Sequence, residues 1–173
     1  MAIKTRSRRV VGELKTKHFA WRLFLSTHAF LTSRINKELD DAGLIPFDSY
    51  DVLMALHEAP DGRLRMSDLA EAVLLSNSGM SRRVERLESD GLLTRQQSAT
   101  DGRSTIAILT KKGQRALEEA WPVYKEGIEQ YFTACLSRKD AETLAELFNE
   151  MLERVGAPHH QHSLNNHSNG SKR

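Results

Sequence analysis

Residues 67–113 read SDLAEAVLLSNSGMSRRVERLESDGLLTRQQSATDGRSTIAILTKKG. Ser67 is a suitable helix N-cap, because its hydroxyl accepts from an orphan amide of the first turn. Leu69, Ala70 and Val73 follow at helical spacing, which predicts a short helix to about residue 73. Residues 74–77 form a tight turn. A second helix is expected over 78–89, where Met80, Val84 and Leu87 stand at i, i+4 and i+7 as one narrow inward stripe.

A helix turns about 100° per residue. The side opposite that stripe therefore carries Ser78, Arg82, Arg86 and Ser89, flanked by Gly79, Ser81, Arg83 and Glu85. Two short helices, the second with a basic, hydroxyl-rich outer face, form a helix-turn-helix pattern. Arginine pairs bidentately with guanine edges, and serine bonds to bases or phosphates.

Gly91 stops the second helix as a C-cap residue. Residues 92–97 are expected to be a strand and 98–104 a turn, with Asp101-Gly102 its tightest element. Residues 105–109, TIAIL, alternate and are β-branched, so they return as a second strand. Thr110 then caps another helix. The order helix, turn, helix, hairpin with a charged tip is that of a winged helix.

The sequence resembles the MarR family of bacterial transcription regulators. The resemblance is carried by Asp68-Leu69-Ala70, the run SNSGMSRRVERLE at 76–88, Gly91-Leu92-Leu93, Arg95, Asp101-Gly102-Arg103, and Leu109-Thr110 with Gly113. It extends more faintly over residues 20–155. It implies a sequence-specific DNA-binding regulator, a ligand-responsive repressor acting as a homodimer on a pseudo-palindromic operator. DNA contacts then fall to Ser76, Asn77, Ser78, Gly79, Ser81, Arg82, Arg83 and Arg86. It further implies that Arg103 reaches a minor groove and that Asp101 holds the wing. Family members often bind aromatic acids or phenols, so a small aromatic or phenolic effector is implied. Trp21, His28, Tyr50, Met54 and His57 are the candidate lining residues, with Arg95 offering charge to an anion. For these six, core or interface packing is the plainer reading.

Each piece also has a bland reading by itself. Asp-Gly-Arg is a common hairpin turn, and Arg82, Arg83 and Arg86 interleaved with Glu85 and Glu88 suit a solvated face with i,i+3 pairs. The combination favours DNA. The alternative from another class is a winged helix serving as a protein-interaction module without DNA contact. A salt-titrated assay on the protein's own upstream DNA separates the two.

The chain has 173 residues, 39% of them hydrophobic, with a formal net charge of +2 and one cysteine. That charge argues nothing about nucleic acid; the placement of the basic residues does. The single cysteine excludes an intrachain disulfide framework. With no run of membrane-span length and no signal peptide pattern, the expected compartment is the cytoplasm.

The remainder reads as support for this head. Residues 1–17 hold Lys4, Arg6, Arg8, Arg9, Lys15 and Lys17 against Glu13 alone, a basic, flexible arm suited equally to phosphate contact and to solubility. Residues 18–45 are a dimerisation segment. Its helix, over 18–42, carries more apolar surface than one face buries. Residues 46–110 form the winged helix-turn-helix domain. Within it Ile45-Pro46 opens a helix with proline pre-set for the first turn, and 63–66 are long enough for a third small strand. Residues 111–155 are C-terminal dimerisation helices, one over 111–136 kinked at Pro122, the next capped by Ser137 with Asp140. Residues 156–173 have almost nothing to bury and are expected to be disordered. The fold class is mainly α with a small β-hairpin wing, a winged helix-turn-helix domain flanked by N- and C-terminal dimerisation helices.

Enzyme readings are poor. The sequence has no phosphate-cradling glycine loop, no nucleophile elbow and no carboxylate-histidine set at metal-ligand spacing, so no cofactor or catalytic residue is expected. His159, His160 and His162 would chelate metal only adventitiously. Cys135 is expected to be a buried structural cysteine.

Overall fold

The computed structural model describes the backbone of residues 2–73, 77–98 and 104–156, and the side chains of residues 15–73, 79–98 and 104–156. The helices are α1 (Ala2–Asp41), α2 (Phe47–Glu58), α3 (Met66–Ala72), α4 (Asn77–Ser89), α5 (Lys111–Tyr131) and α6 (Arg138–Arg154). The strands are β1 (Arg63–Arg65), β2 (Leu93–Gln97) and β3 (Thr105–Leu109). They form one antiparallel sheet in the order β1-β3-β2, so the short segment at 63–65 does join the wing sheet.

The described residues divide into two compact units, 2–50 with 116–135, and 51–115 with 136–156. In the first, Ile35 and Leu39 of α1 and Leu117 and Ala120 of α5 are buried. Tyr50 is buried and stacks on Tyr124 with ring centroids 4.5 Å apart. Gly127 lets α5 approach α1 closely, since a Cβ there would meet Ile35 Cγ1 at 2.9 Å. Tyr131 donates to Glu38 and accepts from Arg34 Nε at 3.1 Å. In the second unit the core is made by Val52, Leu53 and Leu56 of α2, Leu69 and Ala70 of α3, the α4 stripe, and Leu92, Leu93 and Ala107 at the sheet.

Several local expectations are corrected. α1 begins at Ala2, not near residue 18, and runs through the basic segment. Lysine, arginine and glutamate are good helix formers, and the lone interior Gly12 costs only about 1 kcal/mol. Ser67 is not the cap of α3. The helix starts two residues earlier with Arg65 at the N-cap, and the Ser67 hydroxyl instead donates to Asp68 Oδ1 at 2.8 Å. Pro46 precedes the first turn of α2, its carbonyl accepting from Tyr50 N at 2.9 Å. α5 continues through Pro122 but ends at Tyr131, and residues Thr133–Cys135 form a 3-10 turn. Leaving the helix at that point exposes Cys135, whose thiol donates to the Phe132 carbonyl at 3.2 Å. The Ser137 cap holds as read. Its side chain accepts from Asp140 N, and Asp140 accepts from Ser137 N, a complete capping box. The turn at 74–76 and the tail at 157–173 lie outside the described residues.

Candidate nucleic-acid interface

α4 is built as its periodicity demands. Met80, Val84 and Leu87 are 1%, 0% and 2% exposed, so the stripe is wholly inward. Burying three such side chains is worth roughly 1.5–3 kcal/mol each, enough to fix the helix's rotation about its axis. That rotation leaves Ser81, Arg82, Glu85, Arg86 and Ser89 exposed, with Gly79 and Arg83 half-buried. Arg83 differs from the other two arginines. Its partial burial, and secondarily the like charge of Arg86, lower its pKa from the ordinary arginine value, yet a guanidinium stays protonated under such a shift.

Asn77 and Ser78 are the first two residues of α4. Ser76, Asp101 and Arg103 lie outside the described residues. The base of the hairpin that carries the latter two is closed by Ser98 N donating to Ser104 O at 2.8 Å.

The helix ends in a left-handed residue, Gly91, with φ 71°. Gly91 N donates to Glu88 O at 2.9 Å and Leu92 N to Leu87 O at 2.8 Å, the paired bonds of a Schellman motif. Lys112 Nζ donates to Asp90 O at 2.7 Å, a cation on the negative end of the helix. Thr110 serves two elements at once. Its Oγ1 caps α5 by accepting from Gly113 N at 3.0 Å, and its one proton is shared between the Gly91 and Leu92 carbonyls, 2.8 and 2.9 Å away.

The exposed-face pairing allowed by the sequence is resolved otherwise. Glu88 turns to the wing strand and takes Arg95: Oε2 is 2.8 Å from Nε and 2.6 Å from Nη2. This contact, first of all, holds the Glu88 carboxyl below its ordinary value. Among the described residues neither Arg82 nor Arg86 forms an ion pair, so both cations face outward unquenched. The sheet adds two more that sequence reasoning took only as a strand. Arg63 and Arg65 are exposed and stand in register with Ile108 and Ile106, on the same face as Thr94 and Gln96. Alternation in the RLR tripeptide was the available signal.

The six candidate effector contacts are distributed. Trp21, His28 and Tyr50 belong to the first unit, Met54, His57 and Arg95 to the second. Trp21 and His28 are exposed on this chain, while Tyr50 is core. Arg95, expected to serve an anion, has its charge already met by Glu88. His57 lies on a cavity of about 290 Å³ in the second unit with Gly62, Leu109, Thr110, Lys111 and Gln114. Among the described residues no cluster of His, Cys, Asp or Glu suits a metal.

Residues 43–104 match the family model described as MarR family. The HTH-type transcriptional regulator MhqR of Bacillus subtilis is 31% identical over 126 residues, which span 73% of this chain and 81% of MhqR. AbsC, a MarR family transcriptional regulator from Streptomyces coelicolor, superposes with a TM-score of 0.75 at 29% identity, covering 83% of this chain and 96% of AbsC. Sco3205, a MarR family regulator from the same organism solved in complex with DNA, gives 0.76 at 27% identity, covering 82% of this chain and 88% of Sco3205.

Proposed function

Because the chain belongs to the MarR family of transcription regulators, we propose that it binds double-stranded DNA sequence-specifically as a homodimer and acts as a ligand-responsive repressor. The observation that carries this reading is the pair Arg82 and Arg86. Both are exposed on the face of α4 opposite Met80, Val84 and Leu87. Set into a major groove, that face offers guanidinium forks to base edges, with Ser76, Asn77, Ser78, Gly79 and Ser81 near the helix start and Arg83 at its flank. Arg103 takes the neighbouring minor groove, and Asp101 steadies the tip that carries it. Sco3205, a relative solved in complex with DNA, supports DNA as the partner.

Dimerisation follows from α1 and α6. Ile35 and Leu39 bury one side of α1, whereas Phe19, Leu23 and Phe30, roughly opposite at about 100° per residue, are 62%, 50% and 77% exposed. α6 has no buried residue, and Leu147, Met151 and Val155 are exposed along one line. Surface of this kind is covered by a second copy, and two-fold symmetry then matches a pseudo-palindromic operator. Among the described residues no helix is long and apolar enough to cross a membrane, and the reading places the protein on DNA in the cytoplasm. The effector is a small aromatic or phenolic compound, with Trp21, His28, Tyr50, Met54 and His57 as contacts to be tested singly. Arg95 would join them only on release from Glu88.

The test is a salt-titrated binding assay on the protein's own upstream DNA, with selection of bound genomic fragments. Specific binding gives a preferred site and a linear fall of log affinity with log salt. Affinity for that DNA no greater than for mixed-sequence duplex sinks the proposal.

A further inference from the structure

The contact between α4 and the wing strand is made by a carboxylate that the DNA-reading face does not use. Glu88 stands in the last turn of α4, and Arg95 in the middle of β2, opposite Ala107 of β3. Glu88 Oε1 accepts the Arg95 backbone N–H at 3.0 Å, while Oε2 receives Nε and Nη2 at 2.8 and 2.6 Å. One carboxylate thus holds both the main chain and the side chain of Arg95. β2 is an edge strand of the β1-β3-β2 sheet, so its outward N–H has no neighbouring strand to pair with. Glu88 takes that place. Both side chains are only 33% exposed, which strengthens a forked, charge-assisted contact relative to a solvated one. The carboxyl is held below its ordinary value by the same contact, so the tie is charged throughout the neutral range.

We infer that Glu88 is a positioning residue for DNA recognition, fixing the wing strand against α4 so that helix and wing meet one duplex as a single body. This rests on the DNA-binding reading given above. Two contacts on one rigid body share one loss of freedom on binding. If their junction loosens, the second contact must be ordered separately and contributes less. Loss of Glu88 therefore falls on what the wing reads, the sequence flanking the core, and not on what α4 reads. Thr110 and Lys112 hold the start of the turn through the carbonyls of Asp90, Gly91 and Leu92, contacts that do not use the Glu88 side chain.

The experiment uses the full-length protein and duplexes with one fixed core between A·T-rich or G·C-rich flanks, plus one duplex with a mutated core. Wild type, Glu88→Ala, Glu88→Gln and Arg95→Met are compared, with thermal denaturation of each. Glu88→Ala and Arg95→Met should lower affinity for the A·T-flanked site about tenfold and abolish flank preference, leaving core discrimination within about twofold of wild type. Glu88→Gln, which keeps an oxygen for the Arg95 N–H, should fall between and remains informative where the alanine variant fails to fold. Flank and core discrimination lost together would make Glu88 a structural residue only and overturn the inference. So would variants that keep the flank preference, or a wild type that reads the core without reading flanks. A wild type that discriminates no duplex from mixed DNA overturns the proposed function itself, and this inference with it.

Discussion

The backbone of Gly113 lies against the carbonyl oxygen of Leu92. A Cβ built on Gly113 would overlap that oxygen and come within 2.8 Å of Leu109 Cδ1. The first turn of α5 is thereby pressed onto the turn that joins α4 to the wing, and Thr110 seals it with bonds to Gly91, Leu92 and Gly113. The obstacle is backbone, which cannot rotate away as a flexible side chain can. Gly113→Ala should cost about 1–3 kcal/mol of stability, as overpacking does. Denaturant unfolding measures it, and an unchanged midpoint would show that the turn yields freely.

Arg82→Ala should leave stability within about 0.5 kcal/mol, because the side chain is exposed and unpaired among the described residues. Specific DNA affinity should fall by about 1–3 kcal/mol, with relaxed preference at one base position in each half-site. Fluorescence anisotropy against single-base variants of the selected site reads both. An equal loss for every sequence would make Arg82 a phosphate contact.

Phe30 is the most exposed aromatic side chain of α1 among the described residues, at 77%. The wild-type protein should sediment as a dimer at micromolar concentration. Phe30→Asp places a charge in the proposed dimer face and should shift the species toward monomer, with operator affinity falling in step, since two linked heads bind more tightly than one. A variant that stays dimeric removes the stripe Phe19, Leu23 and Phe30 from the interface.

Acid should weaken the Glu88–Arg95 tie in a defined direction. The Glu88 carboxyl is lowered in the folded chain, chiefly by its hydrogen bonds from Arg95. A lowered carboxyl contributes stability that is fully present above its unfolded value, about 4.3 for glutamate, and lost as pH falls through the folded value. The stability difference between wild type and Glu88→Gln should therefore be constant from neutral pH down to about 5 and shrink below about 4.3. Melting curves across that range check it; a difference that persists at the lowest pH would assign it to packing instead of charge.

The order of elements through the reading head is dictated by sequence, because the signals involved are local. Met80, Val84 and Leu87 recur at helical spacing and are buried as a set, Gly91 supplies the left-handed stop, and the β-branched Thr105, Ile106 and Ile108 fall in the strand β3. Ser137 and Asp140 stand three residues apart and close their capping box with no help from the rest of the chain. The outward side of α4, with Arg82 and Arg86, follows from that inward stripe by geometry alone.

Tertiary structure decided what depends on segments meeting. Glu88 had arginines as neighbours along the helix and was equally readable as their partner; only the return of β2 past the end of α4 delivers Arg95, with its backbone N–H as well as its guanidinium. Thr110 reads as a cap, but its second role needs the carbonyls of residues 91 and 92 brought to it across 18 and 19 positions. Cys135 looks buried by its neighbours in sequence and is exposed because α5 ends four residues earlier. Periodicity and capping act within a turn or two of chain and are written in the residues themselves. Which carboxylate meets which cation is settled by how the packed elements face one another, and that is a property of the whole fold.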